Sequence, residues 1–253
     1  MVGIGLESKD ISIRALEFLK SCDIIMLESY TSIASQESID FIATATGKEL
    51  VKTRRADFED KLKSTVAMAK ERKLAILVIG DPLVATTHHI ILDEAEEQGI
   101  KTVVFHAPSI FSAGIGESGL DIYKFGPTTT IPYWSEKYKP TSFMDVIAKN
   151  VQNGQHTMVL LDINQSLCKP MDITEACETA AAAAKQSGHL DIMAMRVLVL
   201  ADVGRHGQEI VSSRFSEIKS LSASLKGKTI SIVVPSKLNF AEEESIKRFK
   251  SVS

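Results

Sequence analysis

An α/β fold of two domains, with mostly parallel or mixed sheets, is predicted by three features of this sequence. Short apolar runs stop abruptly at turn residues, as buried strands do. Stretches with helical spacing lie between them. A segment rich in glycine and proline interrupts the alternation near the middle, and the alternation then resumes. Alternating strands and helices place a sheet between layers of helices.

The elements follow in order. Val2-Gly-Ile-Gly-Leu6 opens the chain as a strand running into polar residues. Ile11, Ala15, Phe18 and Cys22 recur at helical spacing, so residues 11–21 are expected to be a helix. Ile24–Leu27 is a short strand ending in Glu28-Ser-Tyr-Thr-Ser32. Residues 35–46 are helical up to Gly47, and residues 58–71 form a charged amphipathic helix. Leu74–Ile79 is a buried strand stopped by Gly80-Asp81-Pro82, and a helix over 87–97 follows it to Gly99. Thr102–Phe105 is the next strand, after which Ser109 can cap a short helix.

Gly119, Gly126, Pro127, Pro132 and Pro140 then break the pattern, and the domain boundary is placed there, dividing 1–125 from 126–253. Thr128–Ile131 is β-like. Residues 142–150 are helical, and Thr157–Leu161 is a strand ending in Asp162. Asp172 with Glu175 makes a capping box for a helix that runs through the alanines to Gly188. Val197–Ala201 and Ile230–Val234 are strands, and residues 242–250 are a last helix.

Bulk properties narrow the function. The chain has 253 residues, 24% charged side chains and a net charge of −3. It lacks the basic footprint of a nucleic-acid binder. No apolar run reaches the length of a membrane helix, and no export signal precedes the first strand. The three cysteines, Cys22, Cys168 and Cys177, are unpatterned, which fits free thiols in a reducing, cytoplasmic setting.

Ligands of open α/β sheets bind just beyond the carboxyl ends of strands. Leu6, Asp81 and Ser109 follow three such ends and are expected on one edge of the first sheet. Glycines at 3, 5 and 80 would let backbone come close to a ligand. No third glycine at dinucleotide spacing follows Gly3 and Gly5, and no Gly-Lys-Ser/Thr phosphate loop is present.

Taken together, several segments resemble the diphthine synthases, within the tetrapyrrole methylase-like class of methyltransferases. They are Gly3–Leu6, Glu28–Ser32, Gly80–His88, His106–Ser112, Tyr123–Gly126, Pro140–Phe143, Gly154–Thr157 with Leu160–Ile163, and Val234–Leu238. They run nearly the whole chain in the family's order. The resemblance implies a homodimer and S-adenosylmethionine held in a cleft between the two domains. It implies repeated methylation of the amino group of an aminocarboxypropyl-histidine on translation elongation factor 2. The family's cofactor contacts fall here on Leu6, Asp81, Val84, Ser109, Ile110, Leu161, Val203 and Ile230. The chain starts almost on its Gly-x-Gly segment, so either the first strand is short or the start methionine is internal to the true sequence. Where the family often has histidine, Ile230 leaves only a backbone or apolar contact.

Methyl transfer from a sulfonium releases a neutral leaving group, so neither an oxyanion hole nor a metal is demanded. Alignment supplies much of the rate. Water can take the first proton from an amine titrating near roughly 8. The same fold also serves small-molecule methylases of the tetrapyrrole type, and a degenerate nucleotide-binding scaffold is a third reading. Plain structural roles stand beside the functional ones. Asp81 before Pro82 is a turn former, and Ser109 a cap. Glu28 with Tyr30 faces the substrate, or Glu28 caps a neighbouring element. Tyr133, Trp134 and Tyr138 are either core of the linker or a partner surface. Cys22 belongs to the core. His88, His89 and His106 raise a metal reading, but adjacent helical histidines diverge, so His88 is assigned to packing.

Overall fold

A computed structural model describes residues 1–30, 32–164 and 169–251. Thr31 and Cys168 lie outside the described residues. The chain divides into two compact units, Met1–Ile110 and Phe111–Ser253.

The first unit follows the expected alternation. Its elements are β1 (Val2–Gly3), α1 (Ile13–Lys20), β2 (Ile24–Glu28), α2 (Gln36–Thr46), β3 (Leu50–Thr53), α3 (Arg55–Phe58), α4 (Leu62–Ala67), β4 (Leu74–Val78) and α5 (His89–Glu97). The strands make one sheet in the order β1-β4-β2-β3, and every pair is parallel. Alternation along the strands feeds two apolar layers. Ile25, Leu27, Ala75 and Leu77 pack with Ala15, Leu19 and Ile42 of α1 and α2. Met26, Ile76 and Val78 pack with Phe58, Val66, Ile91 and Ala95 on the other face. Ser12 and Ser35 cap α1 and α2 through their side chains, and Gly47 ends α2 at φ +67°. Cys22 is fully buried.

The second unit carries α6 (Ile110–Ser118), whose first residue closes the first unit, then β5 (Thr129–Ile131), α7 (Ser142–Gln152), β6 (Thr157–Leu161), β7 (Ile163–Asn164), β8 (Lys169–Pro170), α8 (Ile173–Ser187), β9 (Arg196–Ala201), β10 (Glu209–Arg214), β11 (Ile230–Val234), α9 (Phe240–Ile246) and β12 (Lys250–Ser251). Its large sheet has the order β12-β10-β9-β11-β6-β5 and is mixed. The β5–β6 and β10–β12 pairs are parallel and the others antiparallel. One face, with Val159, Val199, Ile232 and Val234, packs on Phe143 and Ile147 of α7 and on the alanines of α8. Small side chains along α8 let that helix sit close to its neighbours. The capping box is present, with Asp172 accepting from Thr174 and Glu175 amides.

Several expectations need correction. The helix over 58–71 is broken into α3, α4 and a short 3-10 turn, Met68–Lys70. Thr102–Phe105 is not a full strand. Only Phe105 pairs, in parallel with Val2, donating its amide to Met1 O and accepting from Gly3 N. The last helix starts earlier than expected, at Phe240, and the chain leaves it to form β12. Strands β3 and β10 escaped the sequence reading. In β3 the exposed Val51 and Lys52 break the alternation, and β10 carries the buried serines Ser212 and Ser213 where apolar residues would mark a strand.

Candidate active site

The carboxyl ends of the first sheet gather the expected loops. Gly5 and Gly80 pair across the rim as an antiparallel bridge, with Gly80 N donating to Gly5 O at 2.8 Å. A Cβ placed on Gly80 would lie 3.6 Å from Ser109 Cβ. The loops after β1, after β4 and before α6 therefore adjoin. The missing Cβ atoms serve this loop packing directly. A Cβ on Gly3 would stand 2.7 Å from Gly80 O, and Gly5 sits at φ +76° against Asp10. Asp10 in turn accepts the amides of Leu6 and Glu7, which shapes the turn carrying Leu6.

Asp81 is the hub of this rim, and its carboxylate is buried. Oδ1 accepts the Leu83 amide at 3.0 Å, an Asx-type turn of the kind expected before proline. Oδ2 accepts from His106 Nδ1 at 2.8 Å and from the Ala107 amide at 3.3 Å. Two oxygens offer about four acceptor positions. Three donors of the protein use them, and Oδ1 retains capacity for one more. Turn former and ligand holder are thus compatible roles. Ser109 is buried and directly precedes α6, whose first amides lack helical partners. Val84 is exposed, while Leu6 and Ile110 are half-buried. Ala85, next to Val84, is held at φ +56°, an uncommon conformation for alanine.

Beside this rim, His88 is almost wholly buried. Its Nδ1 donates to Pro82 O at 3.2 Å, so Nε2 accepts from the Tyr30 hydroxyl at 3.4 Å. Burial, and then the Glu28 carboxylate, push the Tyr30 phenol up to about 12, so it keeps the proton it donates. Glu28 is fully buried and accepts the Tyr30 amide at 2.6 Å. His88 braces the Pro82 loop. His89 is exposed on α5, and no group of three metal-ligating side chains occurs among the described residues.

In the second unit, Leu161, Val203 and Ile230 share one sheet edge. Leu161 ends β6, Ile230 begins the antiparallel β11, and Ile230 pairs with Ala201 at the end of β9. Asp202 turns the chain at φ +48°, and its Oδ1 accepts the Thr229 amide at 2.9 Å. Val203 follows this turn. Val203 and Ile230 are buried and Leu161 is half-buried. Tyr133 and Trp134 pack against the core of this unit, whereas Tyr138 is exposed. The Tyr133 amide donates to Asp162 Oδ2 at 2.9 Å.

The sequence offers no signal for His106 as a partner of Asp81. Its segment, His106–Ser112, carried the resemblance, but nothing in local spacing reveals a bond across 25 residues.

Comparison with known proteins agrees with this architecture. The family model for Tetrapyrrole (Corrin/Porphyrin) Methylases matches residues 1–219. The chain is 32% identical over 249 residues to a diphthine synthase of Methanococcus maripaludis (strain C6), covering 98% of this chain and 96% of that one. It is 35% identical over 246 residues to the diphthine synthase of Methanothermobacter thermautotrophicus, covering 96% and 92%. A crystal structure of diphthine synthase superposes with a TM-score of 0.87 at 31% identity, over 99% of this chain and 95% of the other. End-to-end agreement of sequence and fold leaves one assignment: the chain belongs to the diphthine synthases, a family of methyltransferases within the tetrapyrrole methylases.

Proposed function

We propose that this methyltransferase uses S-adenosylmethionine to methylate, repeatedly, the amino group of an aminocarboxypropyl-histidine on translation elongation factor 2. The observation that carries the reading is the likeness to diphthine synthases along nearly the whole chain. The rim around Asp81 supports it. A carboxylate with one acceptor position left, the start of a helix and apolar side chains of graded exposure fit a zwitterionic adenosyl ligand.

When bound, the cofactor supplies an activated methyl on a sulfonium. Asp81 is proposed to receive a donor group of the cofactor through Oδ1, with Oδ2 anchored by His106 and Ala107. Ser109 and Ile110 present backbone at the start of α6, and Leu6 and Val84 supply apolar contact. Leu161, Val203 and Ile230 are proposed as further apolar contacts. Holding the reacting atoms in line converts binding into rate, an effect worth up to about 7–11 kcal/mol. The amine must be unprotonated when it attacks. The proposal includes a homodimer and a cytoplasmic location. No helix among the described residues is long and apolar enough to cross a membrane.

The deciding experiment incubates precursor-bearing elongation factor 2 with the protein and cofactor, then reads the factor by mass spectrometry. Stepwise mass increases by methyl units are expected. An unmodified factor, with transfer of labelled methyl to a precorrin instead, would replace this reading with the tetrapyrrole one.

A further inference from the structure

We propose that His106 is the proton acceptor of the reaction, held in its working tautomer by Asp81. This rests on the methyltransferase reading above. The Asp81 carboxylate is buried, whereas the His106 side chain is 67% exposed. Asp81 Oδ2 accepts from His106 Nδ1 at 2.8 Å, so the proton of the neutral imidazole sits on Nδ1. The lone pair is then on Nε2, which has no protein partner among the described residues. A carboxylate orienting an imidazole in this way is the arrangement that makes histidine an effective base.

Three other titratable groups of this rim are committed elsewhere. His88 uses both ring nitrogens, Glu28 is buried on the Tyr30 amide, and Asp10 holds the Leu6 turn. Charged groups beside the His106 segment include Asp81, the Met1 ammonium, which donates to Val103 O at 2.6 Å, and Arg14, whose guanidinium lies 5.5 Å from the Phe105 ring centre.

Each methyl transferred displaces one proton. The ammonium N–H gives its proton to His106 Nε2, which frees the nitrogen lone pair. That pair forms the new N–CH3 bond, and the C–S bond breaks with both electrons passing to sulfur. The imidazolium then releases its proton to water. An alkylated amine returns to the ammonium form after each cycle, so repeated transfer needs a base that is regenerated. An exposed imidazole held at Nδ1 by a buried carboxylate meets that need.

The test compares wild type with His106→Asn, whose amide nitrogen can still donate to Asp81, and with His106→Gln. Cofactor affinity is measured by calorimetry, and turnover on precursor-bearing elongation factor 2 across pH. For His106→Asn we expect unchanged cofactor affinity and a turnover loss on the order of 10²-fold at neutral pH. The loss should shrink as pH rises, and free imidazole should restore part of it. Wild-type turnover in both variants would overturn the inference while leaving the methyltransferase reading intact. So would a turnover loss that tracks weakened cofactor binding and ignores both pH and imidazole. A wild-type protein that leaves the factor unmodified would instead overturn the functional reading and this inference with it.

Discussion

His156 Nε2 donates to Glu242 Oε1 at 2.9 Å, and both side chains are buried. His156 Nδ1 accepts the Ser236 amide, which fixes the neutral tautomer. Glu242 also accepts from Lys124 and from the amides of Asp121 and Asn239. The start of β6, the loop after β11, α9 and the turn at 121–124 are thus tied at one point of the second unit.

This cluster makes stability depend on pH with a definite sign. Burial lowers the His156 pKa, so the unfolded chain takes up its proton first and stability falls as pH drops below roughly 6.5. For Glu242, burial alone would raise the pKa, but bonds from Lys124, Asn239, His156 and Asp121 outweigh it and hold the group at about 2. A depressed carboxylate gives stability above its unfolded value of 4.5 that is lost towards about 2. Urea denaturation of wild type should therefore show two falling steps on acidification. In Glu242→Gln the lower step should vanish, and stability at neutral pH should drop by about 1–3 kcal/mol.

Replacing Asp81 by alanine leaves the donors of Leu83, Ala107 and His106 without their acceptor. The expected stability cost is about 1–3 kcal/mol, which a typical domain survives. Cofactor affinity should fall as well. Calorimetry well below the melting temperature separates the two effects, and an unchanged affinity would remove Asp81 from the proposed site.

Gly3→Ala should strain the rim. The new Cβ would meet Gly80 O at 2.7 Å and Pro82 Cδ at 2.9 Å. Overpacking of this kind costs about 1–3 kcal/mol, and the displaced Gly80 loop should bind cofactor more weakly. Paired thermal-shift and calorimetric titrations measure both.

Ala85 and Asp172 test local conformation. Ala85→Gly relieves a left-handed alanine and should leave stability equal or raise it by up to about 1 kcal/mol. Asp172→Ala removes the side-chain cap of α8 and should cost about 1 kcal/mol. Chemical denaturation midpoints distinguish the opposite directions.

Much of the fold was legible because its signals are local. Leu74–Val78 ends where Gly80-Asp-Pro follows, and Asp172 with Glu175 announced α8. Each of these depends on residues within a few positions. Strands β3 and β10 were not legible, because β3 exposes Val51 and β10 buries two serines, so neither shows an apolar alternation. Glycine and proline content places the expected division at 125/126, whereas the compact units meet after Ile110.

By itself the sequence determined the layered α/β character, the bounds of strands such as Thr157–Leu161 and Ile230–Val234, and the family to which the rim segments belong. Only the tertiary structure decided the sheet orders β1-β4-β2-β3 and β12-β10-β9-β11-β6-β5, and hence which loops adjoin. The bonds of Asp81 to His106, 25 residues away, and of His156 to Glu242, 86 residues away, follow from those orders. The physical reason is range. Periodicity and capping act between neighbours along the chain, whereas a buried carboxylate takes whatever donor the packing of distant strands brings to it.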